Sequence, residues 1–201
     1  MRALMGRLAL AMTLAAALVG CSVTVPGVAA PDVSARSLVA PTVDPVPPGD
    51  RFSDAKRRFT IAPPKGWTAD TSGVQGTAVV FVAPEPVRTG TGSFSANINV
   101  VVVPSAADLT ATIAAARQEL HGFRGYASTA DTDVVLFGGT LAHLLGGTFS
   151  DKASGLPLRN LQIFAVHDGS TTVVTGTAPA SDWDSYEAVF EAALRTLTVA
   201  R

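Results

Sequence analysis

Apolar and polar positions alternate with period two through much of the chain from residue 58 onward, and two stretches switch to helical spacing. Ala96 to Val103 sets Ile98, Val100 and Val102 on one side and Asn97, Asn99 and Val101 on the other, the pattern of a strand with one buried face. Arg58 to Ile61 reads as a short strand, stopped by the turn Pro63-Pro64-Lys65-Gly66, and Thr77 to Val82, nearly all apolar, as a central one. Thr89 to Ser93, rich in Gly, Thr and Ser, reads as a connection. Val134 to Phe137 and Leu141 to Phe149 flank Gly138-Gly139, which predicts a two-residue turn with positive φ. Leu158 to Val166 and Thr171 to Thr177 flank Asp168-Gly169, the strongest hairpin signal in the chain.

Helical spacing joins Leu109, Ile113, Ala116 and Leu120, with Ser105-x-x-Asp108 as a capping box before them and Gly122 as a stop. A broader stripe joins Tyr186, Val189, Phe190, Ala193, Leu194 and Leu197, with Ser181-x-x-Asp184 as its cap. Strands predominate and hairpins link them, so they run antiparallel. The expected fold class is α+β, an antiparallel β-sheet with amphipathic helices packed on its faces.

The first fifty residues follow other rules. Arg2 and Arg7 precede an uncharged apolar run from Leu8 to Val19, shorter than the roughly 20 residues a membrane-spanning helix needs. The run ends in Leu18-Val19-Gly20-Cys21, which resembles the lipobox of bacterial lipoproteins. Residues 1–20 then form a signal peptide. Cys21 becomes the first residue of the mature chain, lipidated on sulfur and acylated, with palmitate as a typical acyl group. Two or more acyl chains, each contributing about 0.8 kcal/mol per buried CH₂, hold a protein on a membrane far better than one. Residues 21–51 carry six prolines (Pro26, Pro31, Pro41, Pro45, Pro47 and Pro48) and almost no aromatic or periodic apolar pattern, the composition of an extended tether. Residues 52–201 form the globular domain. The expected location is the extracytoplasmic face of the cell membrane, with the membrane reached through the lipid anchor.

Charge narrows the partners. The chain carries 15 Lys+Arg and 16 Asp+Glu; without Arg2 and Arg7 the mature form has 13 against 16. A mildly acidic surface with no basic stripe argues against nucleic acid. With Cys21 as the single cysteine, the fold relies on no disulfide.

Catalytic patterns are sparse. His121, His143 and His167 lie more than 20 residues apart, and none stands in a metal-ligand or Gly-x-Ser-x-Gly arrangement. His121 falls at a helix C-terminus, where a cation suits the dipole. Asp131 and Asp133, two apart, read as a solvated strand end. Gly90-Thr91-Gly92-Ser93-Phe94-Ser95 imitates a dinucleotide loop but precedes a strand rather than a helix. No metal, cofactor or catalytic residue is assigned. Asn97, Asn99, Arg159 and Trp67 are the candidates for contact with a ligand or partner, because Asn is disfavoured in strands and Trp67 follows an exposed turn.

Phe59-Thr60-Ile61-Ala62-Pro63-Pro64-Lys65-Gly66-Trp67, Ala96-Asn97-Ile98-Asn99-Val100-Val101-Val102, Pro157-Leu158-Arg159-Asn160 and the closing Tyr186…Phe190-Glu191 helix resemble the LpqN/LpqT lipoproteins of mycobacteria and their relatives. The resemblance runs from about Phe52 to the end, with the lipobox and tether before it. It implies a PsbP-like α/β/α sandwich and a cell-envelope lipoprotein without established enzymatic chemistry. The first expectation is a non-enzymatic interaction module contacting envelope proteins. The alternative is a carrier or receptor for an envelope lipid or glycolipid, in a cleft between the Ala96–Val103 strand and a helix with Asn97, Asn99 and Arg159 as contacts. A hydrolase, third, would need a Ser or Asp close to His143 or His167 in a concave site.

Overall fold

The structure, a computed structural model, describes residues 51–89 and 92–200; the signal segment, Cys21 and nearly all of the Pro-rich tether lie outside the described residues. Its elements in chain order are β1 (Phe52–Ser53), β2 (Phe59–Ile61), β3 (Thr68–Asp70), β4 (Val79–Val82), β5 (Val87–Thr89), β6 (Gly92–Phe94), β7 (Asn97–Pro104), α1 (Leu109–His121), β8 (Ala127–Val135), β9 (Leu141–Ser150), β10 (Pro157–His167), β11 (Ser170–Pro179), α2 (Trp183–Arg195) and β12 (Thr198–Val199). Seven strands form one sheet in the order β3-β4-β7-β11-β10-β9-β8, every neighbouring pair antiparallel. A small sheet, β1-β2-β12, fastens the start of the described region to its end.

The helices take opposite faces of the main sheet. Ile98, Val100, Ile163, Val174 and Phe81 point towards α2 and bury against its Trp183, Phe190 and Leu194. Each such side chain, fully buried, contributes about 1.5–3 kcal/mol. Close approach of α2 depends on Gly176: a Cβ there would sit 2.5 Å from Phe190 Cδ1. The smaller core on the other face joins Ile113 and Leu120 of α1 to Leu145 of β9 and Phe164 of β10. Both sheet edges are blunted, β3 by its three-residue length and Asp70, β8 by Asp131 and Asp133.

Several expectations change in detail. Asp168 and Gly169 form the two-residue hairpin, with φ of 45° and 69°. Gly138-Gly139, however, belongs to a three-residue loop: Gly139 N–H donates to the Leu136 carbonyl and Leu136 N–H to that of Thr140, with Gly139 left-handed at φ 77°. That is a type I turn closed by a glycine bulge. The cap of α1 is Asp108 itself, whose Oδ1 accepts from Ala111 N–H at 2.8 Å, while Ser105 holds the preceding turn through Ala107 N–H. Ser181 likewise does not cap α2; its hydroxyl donates to Asp182 within a 3-10 turn that leads into the helix. Thr89, Gly92 and Ser93, expected as a connection, belong to the paired strands β5 and β6.

Candidate functional site

A charged cluster sits where α1 crosses the β8–β9 edge. Along β8 the pairing slips by one residue between Ser128 and Ala130. This bulge sets Asp131 opposite Leu145 and Asp133 opposite His143, on the face that carries α1. His143 is buried, and both its nitrogens meet carboxylates: Nδ1 lies 2.6 Å from Asp133 Oδ1 and Nε2 2.8 Å from Asp131 Oδ1. Arg117 of α1 completes the cluster, its Nε and Nη2 donating to the two oxygens of Asp131 at 2.8 and 2.6 Å. The Arg117 guanidinium, with the His143 bond in support and burial in opposition, holds the Asp131 carboxyl down to about 2 from 3.8. An ionised carboxylate only accepts, so Nε2 donates to Asp131.

Beside this cluster opens a cleft of about 390 Å³ lined by Leu109, Ile113, Arg117, Leu141 and His143. The chemistry open to His143 there is restricted. A general base needs a free nitrogen facing the proton it takes, and both nitrogens are already committed. The arrangement is an electrostatic clasp between α1 and the sheet edge. Among the described residues no group of three or more His, Cys, Asp and Glu side chains is placed to hold a metal ion. Reading Asp131 and Asp133 as a solvated strand end missed this clasp. Their period-two spacing was the visible signal; the bulge that turns them towards His143 has none.

His167 and His121 take no part. His167 Nε2 lies 3.1 Å from Asp168 Oδ2, beside the hairpin turn. The His121 ring stands edge-on to Tyr126, with centroids 5.7 Å apart. A second cleft, of about 620 Å³, opens past the end of α1, lined by Arg124, Asp151, Lys152 and the packed rings of Phe123 and Phe149, whose centroids are 5.4 Å apart. The Arg124 carbonyl accepts from Ser150 N–H and Asp151 accepts from Ser154, so the loop bounding the cleft is pinned.

The four contact candidates do not share one site. Trp67 packs edge-on against Tyr186 and Phe190 of α2, at 6.3 and 6.1 Å. Arg159 lies on the same side, 4.7 Å above the Trp183 ring and 3.1 Å from Glu187 Oε1. Asn97 and Asn99 point to the opposite face, that of α1. The sheet stands between the two pairs, so the expected cleft lined by Asn97, Asn99 and Arg159 together does not form.

Comparison with solved structures places the fold. Similar folds are LpqN of Mycobacterium tuberculosis, described as involved in cell envelope biogenesis (TM-score 0.54, 16% identity, 71% of this chain and 83% of that one), and cyanobacterial PsbP from Synechocystis (0.51, 16%, 75% and 91%). A protein of unknown function from Pseudomonas aeruginosa is similar too (0.51, 18%, 71% and 91%). At such identities the likeness is one of fold: a PsbP-like α+β domain, and LpqN is kin in architecture. No curated protein matches the sequence. The family described as the serine/threonine kinase C-terminal domain matches residues 51–199, and the chain belongs to that family.

Proposed function

We propose that the chain is a non-enzymatic cell-envelope module, held at the membrane by lipidated Cys21, that acts by contact with other envelope proteins. The observation that carries this reading is the family match over 51–199, in a sequence that has no His-Arg-Asp and no Asp-Phe-Gly triplet. Phosphoryl transfer by a protein kinase needs those aspartates as base and metal ligand. A domain named for its place at the end of kinases, without their machinery, is suited to binding. The fully committed nitrogens of His143 support the same reading. The envelope setting draws on the fold shared with LpqN, as an analogy.

The test is photo-crosslinking in the host membrane, with a photoreactive residue in place of exposed Phe137 or Leu141 of the full lipidated chain. Discrete protein adducts that disappear when the probe sits on the α2 side are expected. Absence of adducts from every exposed position would overturn the reading. Acyl labelling that survives Cys21→Ala would overturn the anchor.

One observation favours the carrier alternative: the cleft beside Phe123 and Phe149 has the size of a ligand pocket, an aromatic wall and charged side chains (Arg124, Lys152 and Asp151) in its lining. A lipid mass on the full chain in native mass spectrometry, lost in a Phe149→Ala variant, is its expected sign; a bare chain would sink it.

A further inference from the structure

On the face that carries α1, strands β7, β11 and β10 align polar side chains in two register rows. Asn97, Thr177 and Asn160 form one, and Asn99, Thr175 and Gln162 the other. With strands about 4.8 Å apart, the six groups share a patch of roughly 10 by 7 Å. Core packing of α1 centres on β9 and β10, beside the patch. Among the described residues only Asn97 spends its side chain internally, donating to the Ser95 carbonyl at 3.1 Å. Asn160 is 3% exposed and Thr175 8%, yet neither side chain donates a hydrogen bond to a described residue. Their polar atoms are not among the fully buried ones that lack a partner, which leaves them within reach of the surface. Asn is also a poor strand residue. Hydrogen-bonding capacity concentrated in this way fits an external partner.

The charge pattern selects the kind of partner. No ionisable side chain lies within the two rows. Asp70 stands past Val80 at one end of the Asn99 row, and Asp131 past Leu145 at the other. The Asp70 end disfavours anions, while at the other end Arg117 already pairs Asp131. Val80 and Val82 flank the amides on β4, and on the far side the Tyr126 ring lies over Gly147, the residue paired with Asn160. A peptide added to a sheet pairs its backbone with an edge strand, whereas these groups project from central strands.

We propose that this face binds a neutral glycan. Sugar hydroxyls both donate and accept, as amides do, and the C–H faces of a pyranose suit Val80, Val82 and Tyr126. This inference goes beyond the protein-contact reading and does not rest on it.

The test is retention of the full chain on immobilised arabinogalactan, mannan and dextran, with dextran sulfate as the anionic control. At least one neutral polysaccharide is expected to bind, and Asn99→Ala with Gln162→Ala to weaken it by about tenfold or more, the worth of one or two hydrogen bonds. Both residues are half-buried and free of internal side-chain bonds, so thermal unfolding is expected to stay unchanged. Thr177→Val, which deletes one hydroxyl at constant shape, serves as a second variant. Failure of all three neutral polymers to bind, preference for dextran sulfate, or binding indifferent to all these substitutions would overturn the proposal.

Discussion

Arg117 on α1 holds Asp131 on β8 through two hydrogen bonds of 2.8 and 2.6 Å, a forked pair that ties the helix to the edge of the sheet. Both side chains are partly exposed, at 45% and 38%, so solvent screens the pair and its contribution is about 0.2–1 kcal/mol. The Asp131 carboxyl is depressed from 3.8 to about 2. A depressed carboxylate stabilises the fold above its unfolded value, and the contribution is lost as pH falls through the folded one. Arg117→Gln is therefore expected to destabilise at pH 7, with the difference from the parent shrinking from pH 4 to pH 2. Urea unfolding of both chains across that range measures it; a constant gap down to pH 2 would show that Asp131 is not the group involved.

His143 bridges two carboxylates while almost wholly buried. Replacement by Leu keeps the volume but leaves Asp131 and Asp133 on one side of β8 without the ring that bridges them. Hydrogen bonds to charged groups contribute about 1.5–3 kcal/mol, and His143→Leu is expected to lose that much at pH 7. Asp133→Asn is expected to cost under about 1 kcal/mol, since Asp133 is exposed and keeps an acceptor oxygen. Equal losses in the two variants, read by urea unfolding, would contradict this asymmetry.

The central strands were legible in the sequence because their signal is local, whereas β3 and the Ala127–Asp133 part of β8, expected only as Val134 to Phe137, were not. Period-two alternation in Asn97 to Val103 and the hairpin turn at Asp168-Gly169 are properties of neighbouring residues, and both appear as expected. Asp108 was legible as a helix-start residue but not as the cap, because Ser105 offers the same hydroxyl-and-spacing pattern one turn earlier. The clasp was not legible. Its four residues come from α1, β8 and β9, and the two aspartates reach His143 only because one extra residue near Thr129 shifts the register. Arg159 and Asn97 look alike as polar interruptions in apolar strands. Which face each takes follows from register with partners far along the chain, and a single strand does not reveal it.

Gly176 is where α2 comes closest to the sheet. A Cβ there would stand 2.5 and 2.6 Å from two ring carbons of Phe190, which is fully buried and walled in by Trp67, Trp183 and Tyr186. The ring has nowhere to move, so Gly176→Ala is expected to cost about 1–3 kcal/mol by overpacking. Gly147→Ala also collides with a ring, that of Tyr126, but this one is half-exposed and can swing outward. Its cost is expected to be smaller. Shrinking the ring should restore part of the loss, so Gly176→Ala with Phe190→Leu is expected to be less destabilised than the sum of the two single variants. Strict additivity in denaturant unfolding would place the strain elsewhere.

Arg159 looks from the sequence like a ligand contact, yet its guanidinium plane and Nη2 are engaged inside the fold, and its buried Nε has no partner among the described residues. The guanidinium carbon stands 4.7 Å from the Trp183 ring centroid while Nη2 reaches Glu187 on the next turn of α2. Stacking on the ring uses the flat guanidinium, and an ammonium at the end of a lysine does not reproduce it. Arg159→Lys, which keeps the charge, is therefore expected to lose about 0.5–1 kcal/mol of stability and to shift the tryptophan fluorescence of the native state. Retention on a neutral polysaccharide should be untouched, because Arg159 lies on the opposite face of the sheet from Asn99 and Gln162. Loss of retention at unchanged stability would reverse the assignment and make the α2 face the recognition surface. Lowered stability with intact retention would leave Arg159 as the residue that seats the first turn of α2 on β10.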